Sequence, residues 1–286
     1  MTSYYGRPIL KEPVWRWLIP AYFFTGGVAA GSALLGAGAR RRRDHRTAKR
    51  AELAALAAVG VSAAFLAEDL GRPARFYNML RVAKPTSPMN VGSWLLAVFA
   101  PAAGIAALTD TLGVFRRAGR VAQSVSAALA PAVATYTAVL IADTAVPAWH
   151  EARTELPFVF AGGAAASGGS LGVLLGGGGP ARRMAVGGAV LELVADEAML
   201  RRLGFLAEPY RTGRRCRLLH RAGRGLTTGG ALMLAMRGGR RREAGLVGGT
   251  AVLAGAALER FAIFEAGRES ARDPKYVVEP QRARLP

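Results

Sequence analysis

Residues 18–39, LIPAYFFTGGVAAGSALLGAGA, run for 22 residues without a charged side chain. A helix rises 1.5 Å per residue, so this length is enough to cross the ~30 Å of hydrocarbon in a bilayer. Gly26, Gly27, Gly31, Ser32 and Gly36 recur inside it at helical spacing. Small residues so placed let a neighbouring backbone approach closely, which matters where lipid supplies no hydrophobic drive between helices. Trp15 and Trp17 mark the entry at headgroup level. The stretch predicts a membrane-spanning helix that packs against others. Its apolar run is too long for a secretory leader, and the dense positive charge of 40–43 follows rather than precedes it, so the reading is a retained span.

Working outward, residues 91–109 and 121–142 are also free of charge. The full pattern predicts an all-α integral membrane protein, one domain over 1–286, with eight transmembrane helices at about 17–39, 51–70, 91–109, 121–145, 158–175, 184–200, 218–236 and 244–264. The sixth and seventh are the least apolar: one carries Glu192, Asp196 and Glu197, the other begins with His220, Arg221 and Arg224. A hydrophobic content of 51% with a net charge of +19 fits few soluble folds. The cations sit in short clusters between apolar runs, as in loops facing anionic lipid, so nucleic-acid binding is excluded and the lipid bilayer is the expected surroundings. The connectors after the first, third, fifth and seventh spans hold seven, three, two and four Arg or Lys. Those connectors are expected in the cytoplasm, with both termini on the outer face of the cell membrane. The opposite loops hold Glu68, Asp69, Glu151, Glu155 and Glu208.

Residues 68–94, EDLGRPARFYNMLRVAKPTSPMNVGSW, form the longest polar and aromatic segment between two apolar runs, with an acid pair, four basic residues and three prolines. A helix–helix connection needs only a few residues, and long ordered loops tend to carry function. This one reads either as a structured connector or as the place where a membrane domain meets a partner or a ligand. A single cysteine, Cys216, excludes a cluster or CxxC metal site within the chain. His45 and His150 fall in predicted loops and His220 at a predicted helix end, so paired axial haem ligands are not expected either. No metal site is predicted. The glycine clusters lack the Lys-Ser/Thr that would make a phosphate loop.

What remains are polar groups at membrane depth: Glu68 and Asp69 at the end of the second span, Tyr136 and Asp143 in the fourth, Glu192, Asp196 and Glu197 in the sixth, Glu259 in the eighth. A charge in hydrocarbon costs at least ~2.5 kcal/mol, so such groups face a protein interior, a partner or a watery pocket.

Four segments together resemble one family: WRWLIPAYFFTGGVAAGSALL at 15–35, DLGRP with SPMNVGSW in the long loop, PAWHE at 147–151, and ERFAIFEAG at 259–267. With them the whole chain resembles the NrfD/PsrC family, the quinone-interacting membrane subunits of polysulfide reductase type. The resemblance implies two four-helix bundles, a quinone site near the outer face, no haem, and two partners: a ferredoxin-like iron–sulfur subunit and a molybdopterin oxidoreductase. It also implies a quinone-contacting tyrosine in the fourth helix, a role Tyr136 can fill. The family's Asn and His near the start of the first helix have no counterpart, and Trp17, Tyr22 and Thr25 occupy that region, with Arg72 at the loop mouth.

The expected function is that of an anchor, not catalytic alone, exchanging electrons between a menaquinone-type quinone and a bound iron–sulfur subunit of a respiratory oxidoreductase. Glu68, Asp69 and Asp143 are the expected proton carriers and Tyr136 the hydrogen-bond donor. The alternative is a proton-conducting or transporter-type protein without an electron partner, in which the membrane-depth acids form the path.

Overall fold

The computed structural model describes residues 8–71, 75–236, 238–239 and 241–282, the side chains of 75–77 excepted. It is helical, with no strand among the described residues. Eight helices are 19 residues or longer: α1 (Leu18–Arg41), α2 (His45–Asp69), α4 (Pro88–Leu112), α5 (Arg116–Ala142), α7 (Leu156–Leu174), α8 (Gly179–Leu203), α10 (Arg214–Met236) and α11 (Arg242–Arg272). Short helices fill the connections: α3 (Arg75–Leu80), α6 (Pro147–Glu151), α9 (Glu208–Thr212) and, past α11, α12 (Lys275–Arg282).

The helix ends follow local chemistry. Asp44 caps α2 by accepting the Thr47 amide at 3.1 Å. Proline sits in the first turns of α4, α6, α7, α8 and α9, where a missing N–H removes no helical bond. Gly113, at φ 72°, ends α4 in the left-handed conformation that glycine adopts freely. The segment 147–151, expected as loop, is helical because Pro147 starts a turn.

Six of the long helices are long and apolar enough to cross a membrane: α1, α2, α4, α5, α7 and α11. The sixth and seventh expected spans, which became α8 and α10, have the length but are not apolar enough. In α8 the reason is physical: Glu192 and Asp196 are 2% and 1% exposed, so they penalise hydropathy without facing the surroundings.

Helices α1, α2, α4 and α5 pack on one another, as do α7, α8, α10 and α11, and α1 lies against α7 where these sets meet. That meeting is a backbone contact. A Cβ added at Gly31 would come within 3.0 Å of the Ala164 carbonyl carbon and of the Gly168 Cα, and a Cβ at Gly168 would strike the Gly31 backbone in turn. The small-residue stripe of α1 thus does what its spacing predicts. Phe23 and Phe160 close the seam at 5.8 Å between ring centroids.

At the end of the molecule where α1 begins, the N-terminal leader is tied down. Glu12 takes ion pairs from Arg268 at 2.6 Å and Arg272 at 2.7 Å, and Trp15 stacks on Trp149 at 5.9 Å. Trp149 is fully buried and donates its indole N–H to the Ile263 carbonyl at 2.8 Å, with its ring seated on Gly267. PAWHE and ERFAIFEAG are therefore two halves of one joint.

Two outcomes test this packing. Gly31→Val, which must push α1 off α7, is expected to destabilise the protein by ~1–3 kcal/mol or more, whereas Gly60→Ala, where a Cβ inside α2 meets open space, leaves stability unchanged or raises it by up to ~1 kcal/mol; thermal unfolding in detergent reads both. The hydrogen bond from Arg272, reinforced by Arg268, holds the Glu12 carboxyl below the usual carboxylate range. The leader's attachment is then complete above the unfolded carboxylate pKa of ~4.3 and lost as pH falls through the lower folded value. Trp15 emission should change only in that acidic window, and Glu12→Gln should show the detached signal already at neutral pH.

Candidate functional site

Helix order brings most of the predicted site residues to one end of the α1, α2, α4 and α5 set. Trp17 precedes α1, Glu68 and Asp69 close α2, and Asp143 follows the last residue of α5. Trp17 is 57% exposed and meets Phe65 of α2 edge-on at 5.9 Å. Glu68 is exposed, and its backbone carbonyl accepts from Arg16 at 3.3 Å. Asp69 is half-buried and pairs with Arg16 at 3.8 Å. Asp143, expected within a span, lies just outside the helix and is exposed. Arg72 lies outside the described residues.

Tyr136 is buried on α5, and its hydroxyl has no hydrogen-bond partner among the described residues. The ring rests directly on Gly92, where any Cβ would overlap it. A buried hydroxyl without a partner costs about 1–3 kcal/mol, so this phenol is suited to receive an acceptor. Tyr22 is also buried, beside Phe23 at 5.7 Å, and its backbone carbonyl accepts from Ser62 of α2 at 3.3 Å. Thr25 spends its hydroxyl on the Ala21 and Tyr22 carbonyls, at 3.0 and 3.3 Å.

The long loop is ordered by the SPMNVGSW motif itself. The Asn90 side chain accepts from the Lys84 amide at 2.7 Å and donates to the carbonyls of Met79 at 2.6 Å and Val82 at 2.8 Å. Trp94 adds a bond from its indole N–H to Val82 at 3.3 Å. This clamp holds exposed Arg81 and Lys84 over a cavity of about 330 Å³ between α4 and α5, lined by Asn90, Trp94, Leu95 and Leu129 among others. A second, apolar groove of about 800 Å³ has walls on α2 and α11 and its floor on α1 and α7; Thr25 lies in it and Arg50 at one end. Tyr136 lines neither.

The α7, α8, α10 and α11 set contains a buried ionic network that hydropathy reading had treated as separate acids. Arg260, 3% exposed, donates to the carbonyls of Val159 and Phe160 at 3.3 and 3.2 Å, stacks over the Phe160 ring at 4.0 Å and faces Glu192 at 3.6 Å. Asp196 accepts from Arg224 at 2.7 Å and bonds His220 at 3.1 Å; Glu259 stands 3.9 Å from the same histidine. His220 was expected at a helix end, but α10 begins earlier, at Arg214, and the imidazole is buried inside. Gly163 leaves the space that Arg260 and Glu192 fill, and Gly223 admits the α11 backbone beside Glu259. Both glycines touch the charged side chains directly across the helix interface, a contact that no spacing within one helix reveals.

Asp196, His220 and Glu259 place ligand atoms within 4.8 Å of one another, close enough for a metal ion. Arg224 already sets a positive charge on the Asp196 oxygen that a cation would need, so the trio is better described as an ion-pair network. Both Glu192 oxygens, one Glu259 oxygen and the Tyr210 hydroxyl lack hydrogen-bond partners among the described residues. The cluster therefore has unused acceptor capacity at depth.

Comparison with protein families places this geometry. The family model described as polysulfide reductase matches residues 1–273, a span that includes the α1 stripe, the Asn90 clamp, Gly92 beneath Tyr136 and the Trp149 joint. No curated protein matches the chain. The chain belongs to the NrfD-type polysulfide reductase family and is a multi-pass membrane subunit of an oxidoreductase complex.

Proposed function

We propose that this subunit binds a menaquinone-type quinone and exchanges electrons between it and a ferredoxin-like iron–sulfur partner, itself joined to a molybdopterin oxidoreductase. In this reading the chain is one domain whose eight long helices all cross the cell membrane as two four-helix bundles. The basic connectors face the cytoplasm, and both termini face outward. The observation that carries it is the Tyr136 hydroxyl: buried, without a hydrogen-bond partner among the described residues, and on the helix that ends where Trp17, Glu68, Asp69 and Asp143 gather.

A bound quinone supplies the two-electron, two-proton couple that no side chain here has. The protein's part is recognition and proton supply. Tyr136 donates to a carbonyl oxygen without the desolvation cost of a full charge. Tyr22 provides apolar wall, and Trp17 with Phe65 lies toward the mouth. Glu68, Asp69 and Asp143 sit where water reaches them, so they can return protons to the site. Arg81 and Lys84, held out by the Asn90 clamp, present positive charge to an acidic partner surface.

The second reading, a proton-conducting protein without an electron partner, draws on the Glu192–Arg260 and Asp196–His220–Glu259 network. It gives no role to the exposed cations of the ordered loop. Identifying the chains that co-purify, with a quinone assay on the preparation, separates the two readings.

Tyr136→Phe is expected to weaken quinone turnover by the value of one buried hydrogen bond, about 1–3 kcal/mol. Asp69→Asn should slow turnover further, with the partner still attached. Parental rates in both variants would move the site elsewhere. Arg81→Glu together with Lys84→Glu should release the iron–sulfur subunit at physiological salt while the helices stay folded, and unchanged co-purification would mean that the loop is not the dock.

A further inference from the structure

Between the α1–α2 connector and the turn from α4 to α5 lies a cavity of about 720 Å³ with a cationic rim. Arg40 lines it and is shared between Glu52 at 2.9 Å and Asp110 at 3.0 Å, so that trio carries one negative charge. Gln123 also donates to Glu52. Arg46, Lys49, Arg116 and Arg120 line the same cavity, and among the described residues none of them has an ion-pair partner within 4.0 Å. Four fixed positive charges thus share one concavity with a single compensating charge. Such a site concentrates anions.

The turn that presents these cations is tightly built. Gly113 and Phe115 both take positive φ, at 72° and 49°. Gly119 lets α5 close on Thr109, whose side chain a Cβ there would overlap. Arg116 and Arg120, one helical turn apart, are thereby held over the same hollow.

Arg120 belongs to a second hollow as well. This one, about 610 Å³, continues down α5 past Val121, Ser124, Val125 and Ala128. Val121 is 65% and Val125 36% exposed, and Phe115, at the turn, is 79% exposed, as an aromatic anchor at the lipid interface would be. From Arg120 to Ala128 the helix rises ~12 Å, the length of a good part of an acyl chain. A soluble phosphate or an acidic peptide would use the cations and leave this apolar strip bare. A phospholipid uses both.

We propose that this end of the α1, α2, α4 and α5 set holds one anionic phospholipid, its phosphates seated among Arg46, Lys49, Arg116 and Arg120 and an acyl chain lying along α5. Four unspent cations exceed the charge of one phosphate diester, so a headgroup with two phosphates, of the cardiolipin type, is the better match. The proposal stands apart from the quinone reading, which concerns the opposite end of the same helices.

The test uses the purified protein in nanodiscs of zwitterionic lipid doped with cardiolipin or with phosphatidylglycerol, released into native mass spectrometry. The parent should retain one cardiolipin in preference to the other lipids. Arg116→Gln with Arg120→Gln should bind it about thirty-fold more weakly, two cations at ~1 kcal/mol each. Arg182→Gln with Arg183→Gln, at the basic start of α8, should retain it as the parent does, and thermal unfolding should be the same in all three. Equal retention by parent and Arg116/Arg120 variant overturns the proposal. So does displacement of the lipid by millimolar inorganic phosphate, which would assign the cavity to a soluble anion.

Discussion

Everything in this molecule hangs on the closeness of α1 and α7. Their backbones meet at Gly31, Ala164 and Gly168 with no side chain between. In lipid the driving force for such a contact is packing itself, because moving an apolar face from lipid to protein gains little. The closeness has consequences at both depths. It seats Phe23 against Phe160, whose ring also carries the Arg260 guanidinium, and it leaves α2 and α11 standing apart as the walls of the apolar groove.

The two helix sets handle polarity differently. In α1, α2, α4 and α5 the charged groups gather toward the ends, and the interior keeps the Tyr136 hydroxyl, which has no hydrogen-bond partner among the described residues, and the Glu52–Arg40–Gln123 contacts near the basic end. In α7, α8, α10 and α11 charges go inside, stacked from Arg260 and Glu192 through Glu259 and His220 to Asp196 and Arg224. Removing one member would strand a buried charge, which typically costs 3–5 kcal/mol. Such a network ties α7, α8, α10 and α11 to one another through paired charges.

How much of this the sequence showed varies from residue to residue. The α1 span and its packing stripe were plain from 18–39, because absence of charge and recurrence of glycine are local properties. The convergence of Glu68, Asp69, Trp17 and Asp143 followed from counting helices. What could not be read was which polar residues face inward. Hydropathy treats Glu192 and Asp196 like any surface acids, and only the partners on α10 and α11, more than twenty residues away in the chain, make their burial tolerable. The long loop reads either as a structured connector or as a meeting place for a partner or ligand, and its motif residues have ordering roles there: Asn90 a clamp, Gly92 a seat for the Tyr136 ring, and Trp94 a brace. His220 was misplaced because α10 starts four residues before the expected span.

The central claim is that the quinone head lies against Tyr136 rather than in the apolar groove that includes Thr25. Photo-crosslinking with an azido-quinone, followed by peptide mapping of this chain within its native complex, tests it most directly. The account predicts label on the peptides that carry Gly92 and Tyr136, lost when an excess of unmodified quinone is added. Label confined to residues 50–61 and 250–257, the walls of the groove, would contradict it.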